Sequence, residues 1–423
     1  MTVLNELKGF LFEGAAEPAS IIVYSPQLTS RLKYVCKFVF NQGILCNYIL
    51  TSDENEFLNS KLGKVNYSER TFENAVNILP AGLLNNGALQ KPELDPKQNG
   101  FDLFSAIFFF IGRVEEWAVE EKDQHGRAKT SFTEEPLVDQ WILSLKEQLH
   151  KTYGIQFPQR KFRYISTIDV DNVFAYKAKP FYRQIGGALK DLKNIVPRIQ
   201  TIVFGKKDPF DEYELQAELS GKYGIPLIYF FLYRNNTKYD RTIDPNHKEF
   251  IQLLRYLKDQ NITFGLHPSY DASVDGSLLN QELALLSQNS GKKIICSRQH
   301  FLRFNIRTTP KELIHAGIKY DFTVGSADRT GYKAGTSLPF YYYDIADENE
   351  LDLLAVPFEA MDGAFYHNKI EASEAYGSIM KLAEQVKAVN GLFITCIHER
   401  SFSGQIAPGW KNLYIKLHES LKA

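Results

Sequence analysis

The sequence has 423 residues, and its 49 Lys and Arg residues nearly balance its 50 Asp and Glu residues, giving a net charge of −1 at pH 7. This balance gives no electrostatic reason to expect binding to nucleic acid or to an anionic membrane surface. With 44% hydrophobic residues the chain can bury sizeable cores, and its length predicts two domains or one large barrel with an extension. No run reaches about 18 apolar residues, so we expect no transmembrane segment.

The start of the chain does not look like a targeting signal. The segment "MTVLNELKGFLFEGAAEPAS" contains acidic residues and no apolar stretch of the kind that a signal peptide needs. The cysteines Cys36, Cys46, Cys296 and Cys396 show no CxxC spacing and lie mostly inside apolar runs. This placement predicts buried, reduced thiols rather than disulfides or metal ligands. We therefore expect a cytoplasmic protein.

The first part of the chain is typical of a small α/β domain. "ASIIVYSP" predicts a buried strand, and "TSRLKYVCKFVFNQG" predicts a helix with a polar start that stops at a glycine. A second helical run, "FDLFSAIFFFIGRVEEWAVE", precedes the polar, loop-like segment "EEKDQHGRAKTSFTEEP". "LVDQWILSLKEQLHKTYG" then predicts an amphipathic helix that ends at Gly154. We place an N-terminal α/β domain at 1–157 and a second domain at 158–423, and we find no catalytic pattern in the first.

Strand candidates alternate with helical stretches in the second domain. The candidates are "FRYISTID", "IPLIYFFLY", "ITFGLHP", "KIICSRQ", "YDFTVGS", "LPFYYYD", "LLAVPFEA" and "LFITCIHE". Helical stretches such as "NHKEFIQLLRYLKDQN" and "TTPKELIHAGI" lie between most of them. Roughly seven or eight βα units are what a (β/α) barrel requires, because parallel strands need crossover connections. The sequence therefore predicts a TIM-like barrel.

Ionisable residues close several of these predicted strands at their C-terminal ends. They are Asp169, Asp171, His267, Arg298, His300, Asp328 and His398. In a (β/α) barrel the loops that follow the strands converge at one face, and that face carries the chemistry. We therefore expect these side chains to meet at one rim of the barrel.

Asp169 and Asp171 form a pair that needs its own explanation. Residues i and i+2 of a strand share a face, so the two carboxylates repel each other unless a metal ion or a shared proton intervenes. Asp and His are ligands for a borderline divalent ion such as zinc. One carboxylate could bind the cation while the other takes a proton from water, which favours metal-assisted hydrolysis. A capping or turn role is the alternative for an isolated pair.

The ordered segments "TIDVD", "GLHPSY", "SRQHF", "YDFTVGSAD" and "LFITCIHE" resemble the motifs of the polysaccharide deacetylase family (carbohydrate esterase family 4, NodB-homology domain). The resemblance covers residues 160–423. It implies a distorted (β/α)7 barrel, a divalent metal ion that is most often Zn²⁺, and removal of acetyl groups from an N-acetylated or O-acetylated sugar or polysaccharide. The whole chain also resembles bacterial deacetylase-like proteins in which an α/β domain of unknown function precedes the barrel.

The resemblance implies a general base and a set of metal ligands. Asp169 would be the base and Asp171 a ligand, separated by Val170 instead of being adjacent. His267 matches the first histidine of the second motif, but Asp271 stands where that motif has its second histidine. Either Asp271 or His300 would supply the remaining ligand.

The resemblance also implies partners for the base and the leaving group. Arg298 would hold Asp169 in place through a charge-assisted hydrogen bond, and Arg303 is the alternative for this role. His398 would protonate the departing amine or alcohol.

Other polar residues are candidates for binding an acetylated glycan or amino sugar. They are Tyr270, Arg303 and Asp328. Asp328 could instead pair with Arg329 and hold its own loop. His125 belongs to a group of histidines without a partner pattern, and we expect it to be an ordinary surface or capping residue.

Two classes of function are compatible with these residues. The first is a metal-dependent carbohydrate deacetylase. The second is a carbohydrate-binding or scaffold protein on a barrel that has lost its metal, and the missing second histidine favours it. A different barrel hydrolase is a third reading, but the His-x-His strand signature of amidohydrolase-type sites is absent. The barrel alone does not decide among them, because one fold serves many functions.

Overall fold

The structure, a computed structural model, describes residues 7, 20–180, 195–234, 237–404 and 406–422. Most of the start of the chain, on which the targeting prediction depends, lies outside the described residues. Two sheets organise the rest, one built from strands within residues 21–78 and the other from strands within residues 163–398. The predicted α/β class with parallel strands is confirmed.

The N-terminal sheet has the strand order β2-β1-β3-β4, and all its neighbouring strands are parallel. Its strands are β1 (Ile21–Tyr24), β2 (Tyr48–Thr51), β3 (Gly63–Tyr67) and β4 (Val76–Ile78). Helix α1 (Ser30–Cys36) begins where the Thr29 side chain accepts a hydrogen bond from the Leu32 amide. A π-helical segment, Lys37–Ile44, extends it past the glycine at which we predicted the stop, and the turn falls at Leu45, with φ of 65°.

The predicted second helical run is broken into two helices. Helices α2 (Glu54–Asn59), α3 (Leu103–Ile111), α4 (Val114–Ala118) and α5 (Leu137–Tyr153) complete this region. The break between α3 and α4 falls at Arg113, whose φ of 54° lies outside the helical region. Helix α5 ends at Gly154, as predicted, and the φ of 69° there suits a residue without a side chain.

The second sheet has nine strands in the order β10-β11-β9-β8-β7-β6-β5-β13-β12. They are β5 (Arg163–Val170), β6 (Leu227–Leu232), β7 (Thr263–His267), β8 (Cys296–Ser297), β9 (Tyr320–Asp321), β10 (Phe340–Asp344), β11 (Asn349–Ala355), β12 (Ala360–Met361) and β13 (Leu392–His398). All neighbours are parallel except β10 and β11. The first and last long strands, β5 and β13, pair in full register, as in a barrel. The two end strands of this order, β10 and β12, do not pair with each other among the described residues, so the exact (β/α)7 barrel stays a prediction.

Two of the predicted strands have a different role in this sheet. "LPFYYYD" forms β10, which runs antiparallel to β11 in a hairpin instead of starting a βα unit. The Asp344 carboxylate accepts hydrogen bonds from the Ala346 and Asp347 amides and so reverses the chain within a few residues. "LLAVPFEA" divides into the end of β11 and the start of β12.

Helices lie between the strands of this sheet, and one more follows its last strand. They are α6 (Ile195–Ile202), α7 (Tyr213–Tyr223), α8 (Lys248–Asp259), α9 (Gly276–Ser290), α10 (Thr309–His315), α11 (Asp362–His367), α12 (Ala372–Ala388) and α13 (Trp410–Ser420). Helix α8 shows why they form, because its buried residues Phe250, Leu253, Leu254 and Leu257 repeat at the spacing of one helix face. None of the described helices combines the length and apolar composition that crossing a lipid bilayer requires.

The N-terminal region packs closely against the second sheet. The buried Arg31 guanidinium makes two hydrogen bonds to the Glu348 carboxylate, at 2.7 and 2.9 Å. On helix α5, the Asp139 carboxylate accepts hydrogen bonds from the Ser337 amide and hydroxyl, at 2.8 and 2.7 Å. One hydrophobic core is continuous across the two regions. The division at residue 157 therefore stays a prediction.

Candidate metal centre and catalytic cleft

Parallel strands bring the strand-end residues to one edge of the second sheet. Asp169 in β5 is in register with His398 in β13. His267 ends β7, and Arg298 follows β8. Beside this edge lies a cavity of about 570 Å³. Its lining includes Asp169, Asp171, His267, His300, Asp328, His398 and Arg400.

Asp171, His267 and His300 form the one cluster of potential metal ligands found among the described residues. One ligand atom from each lies within 4.8 Å of the other two. The Nε2 atoms of His267 and His300 are 3.5 and 3.6 Å from Asp171 Oδ1. This oxygen is buried and has no hydrogen-bond partner in the described part of the chain. Because buried polar atoms are nearly always bonded, an oxygen atom facing two imidazole nitrogens fits a cation between them.

The second ring nitrogen of each histidine is held by another group. His267 Nδ1 donates a hydrogen bond to the Arg298 carbonyl at 2.6 Å, and His300 Nδ1 donates to Asp240 Oδ1 at 2.9 Å. Such bonds fix the tautomer and the ring orientation of metal-binding histidines. Each ring therefore turns its Nε2 atom toward Asp171, and Nε2 is the nitrogen through which a neutral imidazole would bind a cation.

The surroundings of Asp171 keep it ionised. Burial alone would raise the pKa of its carboxyl group, but His267, His300 and His398, with Arg400, outweigh burial and hold the pKa well below its usual range. Arg400 Nη1 donates to Asp171 Oδ2 at 2.8 Å. One oxygen of the Asp171 carboxylate is thus paired with the Arg400 guanidinium, while the other oxygen faces the two histidines.

Asp169 is fixed by a buried arginine. Arg298 Nη1 donates to Asp169 Oδ1 at 2.7 Å, and the same nitrogen donates to Thr167 Oγ1 at 2.9 Å. Arg298 Nε donates to the Phe322 carbonyl at 2.9 Å. The other carboxylate oxygen, Oδ2, has the Cys396 thiol at 3.2 Å, which is a weak donor. Asp169 Oδ2 therefore keeps most of its capacity to accept a proton.

Charge decides the protonation state of Asp169. Burial would raise the pKa of this carboxyl group, but Arg298, with His267 and His398, outweighs burial and lowers the pKa. Asp169 is therefore a carboxylate at neutral pH, and the guanidinium of Arg298 fixes its orientation.

His398 forms a second buried pair with Asp362. Its Nδ1 donates to Asp362 Oδ1 at 2.6 Å, and its amide donates to Asp362 Oδ2 at 2.8 Å. Burial and Arg400 would lower the pKa of His398, but Asp362, with Asp171, raises it to about 9. Burial would raise the pKa of Asp362, but His398 outweighs it and lowers the pKa to about 2. His398 is therefore a cation at neutral pH and can donate a proton from Nε2.

Three residues predicted for this site lie elsewhere. Asp271 is exposed and is outside the cavity lining, because the chain turns there, with the Val274 amide bonded to the Asp271 carbonyl. Arg303 Nη1 donates to the Tyr270 carbonyl at 2.7 Å, and its guanidinium lies over the Tyr270 ring. Neither Arg303 nor Tyr270 lines the cavity.

The alternatives left open by the sequence are distinguished by these positions. His300, not Asp271, stands beside Asp171, and Arg298, not Arg303, contacts Asp169. Asp328 does line the cavity, and its carboxylate lies 3.8 Å from Arg329 Nε, so the predicted loop pair also forms.

Several residues of the site were missed by sequence reasoning. Asp362 directly follows β12 and could have been found by the strand-end rule. Asp240 lies in a loop eight residues beyond the end of β6, where no pattern marks it. His125, predicted as a surface or capping residue, lines the cavity together with Gln124 and Arg127. These three residues come from the N-terminal region, to which we assigned no chemistry.

The backbone just after His300 is strained. Phe301 and Leu302 have φ values of 58° and 53°. For residues other than glycine this left-handed conformation costs roughly 1–2 kcal/mol per residue. Two such residues beside a potential metal ligand indicate that their surroundings hold them in place.

Comparisons with known proteins give weak similarities. A profile of a family of unknown function (DUF7033) matches residues 21–154. None of the curated proteins matches the chain. Among solved structures, a candidate polysaccharide deacetylase from Mycobacterium smegmatis is 14% identical with a TM-score of 0.43, and the match covers 64% of this chain and 87% of that one.

Two further solved structures are also similar to this chain. A polysaccharide deacetylase from Bacillus cereus is 14% identical with a TM-score of 0.29, covering 61% of this chain and 89% of that one. A carbohydrate esterase family 4 pseudoenzyme from Bacillus anthracis is 10% identical with a TM-score of 0.30, covering 75% of this chain and 77% of that one. At these TM-scores the similarities do not establish a function for this chain.

Proposed function

We propose that this protein is a metal-dependent hydrolase that removes acetyl groups from an N-acetylated or O-acetylated sugar or polysaccharide. The observation that carries the proposal is the meeting of three groups in one cavity. They are the Asp171, His267 and His300 cluster, the Asp169 and Arg298 pair, and the His398 and Asp362 pair. Together they offer a cation site, a general base and a general acid.

Asp171, His267 and His300 would hold the metal ion. A donor set of two imidazole nitrogens and one carboxylate oxygen suits Zn²⁺, and three protein ligands are typical of catalytic sites, which keep a position open. When bound, such an ion would polarise the acetyl carbonyl group and lower the pKa of water beside it.

Asp169 would act as the general base. Its Oδ2 atom takes a proton from the attacking water as the water oxygen bonds to the acetyl carbon. Arg298 holds Oδ1 throughout, so the carboxylate does not turn away from the cavity. In this proposal Asp169 accepts the proton and Asp171 binds the metal ion. These separate roles would explain why two carboxylates lie two residues apart.

His398 would act as the general acid. Its Nδ1 is bonded to Asp362, so Nε2 is the nitrogen that donates a proton to the departing amine or alcohol as the bond to the acetyl carbon breaks. With a pKa raised to about 9 the histidine carries this proton at neutral pH.

The substrate class is inferred from the cavity and from the motifs. A volume of about 570 Å³ is within the usual range for ligand pockets, roughly 300–1,000 Å³. Arg127, Asp328 and His367 add hydrogen-bonding groups to its lining, as binding a sugar ring requires. The resemblance of the ordered motifs to polysaccharide deacetylases is what indicates an acetylated sugar.

The alternative, a carbohydrate-binding or scaffold protein without metal, was favoured by the missing histidine of the second motif. His300 lies beside Asp171 and His267 and offers the third ligand atom in place of that histidine. The geometry therefore supports the hydrolase over the scaffold.

Metal content and acetate release together test the proposal. The purified full chain would be loaded with Zn²⁺, its bound metal measured by mass spectrometry, and acetate assayed with N-acetylated amino-sugar oligomers and with an O-acetylated polysaccharide. We expect about one equivalent of metal and metal-dependent acetate release. A protein that binds these sugars but neither binds metal nor releases acetate would support the scaffold instead.

A further inference from the structure

A hairpin from the N-terminal region forms part of the cavity wall. The Lys122 and Ala128 backbones pair as an antiparallel bridge, and the Asp123 amide donates to the Arg127 carbonyl at 2.9 Å. We call residues 122–128, which this bridge encloses, the N-terminal hairpin. At its tip, His125 and Arg127 line the same cavity as the metal cluster, although the hairpin lies within the stretch that matches a family of unknown function.

The hairpin is internally ordered by Asp123. One carboxylate oxygen accepts hydrogen bonds from the His125 and Arg127 amides, at 2.8 and 3.0 Å. The other accepts from Arg127 Nε at 2.6 Å. The guanidinium of Arg127 is therefore aimed by a neighbouring carboxylate.

Both residues at the tip contact Phe301. Arg127 Nη1 donates to the Phe301 carbonyl at 3.2 Å. The His125 ring packs on the Phe301 ring with centroids 4.7 Å apart, and Phe301 packs on His300 at 4.5 Å. Tyr239 and Tyr270 also contact the Phe301 ring edge to face, each with centroids 5.6 Å apart. The hairpin thus touches the backbone and the side chain of the residue that follows His300.

Phe301 has a backbone conformation that needs support from its surroundings. Its φ of 58° and ψ of 12° lie in the left-handed region, which an aromatic residue rarely adopts. Because Phe301 is covalently joined to His300, a change of its backbone angles would move the His300 ring relative to Asp171. Residues in such conformations persist only when several contacts determine them.

We propose that the N-terminal hairpin is a positioning element of the metal site. Arg127 and His125 hold Phe301 in its left-handed conformation and so keep His300 facing Asp171 and His267. The inference rests on the proposed metal site, and it gives the N-terminal region a part in the chemistry of the second sheet.

The expected effect is a partial loss of metal affinity. The Asp240 carboxylate also holds His300, because it accepts a hydrogen bond from His300 Nδ1. The His300 ring therefore keeps one partner when the hairpin contacts are removed. Groups that orient metal ligands typically change metal affinity by 10–100-fold, and we expect a loss of about 10-fold from each hairpin residue.

The test measures metal binding by the full chain. Co²⁺ and Zn²⁺ affinities, and the visible spectrum of the Co²⁺ form, would be compared among wild type, His125→Ala, His125→Phe, Arg127→Ala and Lys129→Ala. We expect His125→Ala and Arg127→Ala to weaken binding about 10-fold and to alter the Co²⁺ spectrum. His125→Phe keeps a ring on Phe301 and should restore both. Lys129→Ala removes only the exposed ion pair with Glu121 and should match wild type.

The outcomes separate the hairpin from the proposed function. A wild-type protein that binds neither ion would overturn both. Wild-type binding with unchanged affinity and spectrum in His125→Ala and Arg127→Ala would overturn the hairpin's role and leave the hydrolase standing. If His125→Phe binds as weakly as His125→Ala while circular dichroism shows both folded, ring packing on Phe301 is not the cause and the inference also fails.

Discussion

The cavity has two walls that reach it by different routes. One wall is made by residues at the ends of β5, β7, β8 and β13, which the parallel sheet places at a common edge. The other is the N-terminal hairpin, which arrives from outside the sheet and contacts Phe301. The first wall carries the groups proposed to react, and the second contacts the backbone that holds one of them. Reacting groups and the groups that position them can therefore come from separate parts of one chain.

Removing a metal ligand from the strand-end wall should have the largest effect. In Asp171→Ala the cluster loses the one carboxylate that the described residues offer it, and in His267→Ala it loses one imidazole. We expect either change to weaken Zn²⁺ binding by more than about 100-fold and to abolish acetate release, since ligands matter more than the groups around them. Asp271→Ala is the matched control, because Asp271 is exposed and lies outside the cavity lining. This variant should bind Zn²⁺ as the wild-type protein does.

Removing the proposed base from the strand-end wall should reduce acetate release without changing metal binding. Asp169→Asn keeps the shape of the side chain but cannot take up a proton. We expect acetate release to fall by about 10²–10⁴-fold, the usual contribution of a general base, while bound Zn²⁺ stays at the wild-type level. Undiminished acetate release by this variant would mean that another group is the base.

The His398 and Asp362 pair should appear in the pH dependence. A pKa of about 9 for His398 means that its proton, and with it the activity, is lost only as the pH rises through that value. In Asp362→Asn the carboxylate that raises this pKa is gone while burial and Arg400 still lower it, so activity should fall at a lower pH. Acetate release measured against pH, with both proteins loaded with Zn²⁺, checks this. If acetate release falls at the same high pH in both proteins, His398 is not the general acid.

Weakening the hydrogen bond that holds His300 should have the smallest effect. Its effect on Zn²⁺ affinity can be compared directly with that of the hairpin variants. Asp240→Asn weakens the partner of His300 Nδ1 without touching a ligand. We expect Zn²⁺ affinity to fall by about 10-fold, similar to the hairpin variants. A titration of Zn²⁺ against a competing chelator measures this change, and a loss as large as that of His267→Ala would mean that Asp240 itself binds the ion.

The strand-end wall could be predicted from the sequence, because the alternation of strands and helices fixes where residues meet. Asp169, His267, Arg298 and His398 follow apolar runs, and the parallel sheet brings all of them to the cavity or beside it. His300 was one of two alternatives, since the sequence could not show that the chain turns away at Asp271.

The rest depended on contacts that leave no local pattern. The hairpin touches Phe301 across more than a hundred residues of chain, and nothing near His125 marks that contact. The antiparallel course of β10 was missed because "FYYYD" has the same composition as a buried parallel strand. The strain at Phe301 is a backbone property that a single sequence does not encode visibly.

A crystal structure of the Zn²⁺-loaded protein, with anomalous scattering recorded at the zinc edge, tests the central claim most directly. We expect one strong peak about 2.0–2.2 Å from Asp171 Oδ1 and from the Nε2 atoms of His267 and His300. A peak at another place, or no peak between these three side chains at saturating Zn²⁺, would contradict it.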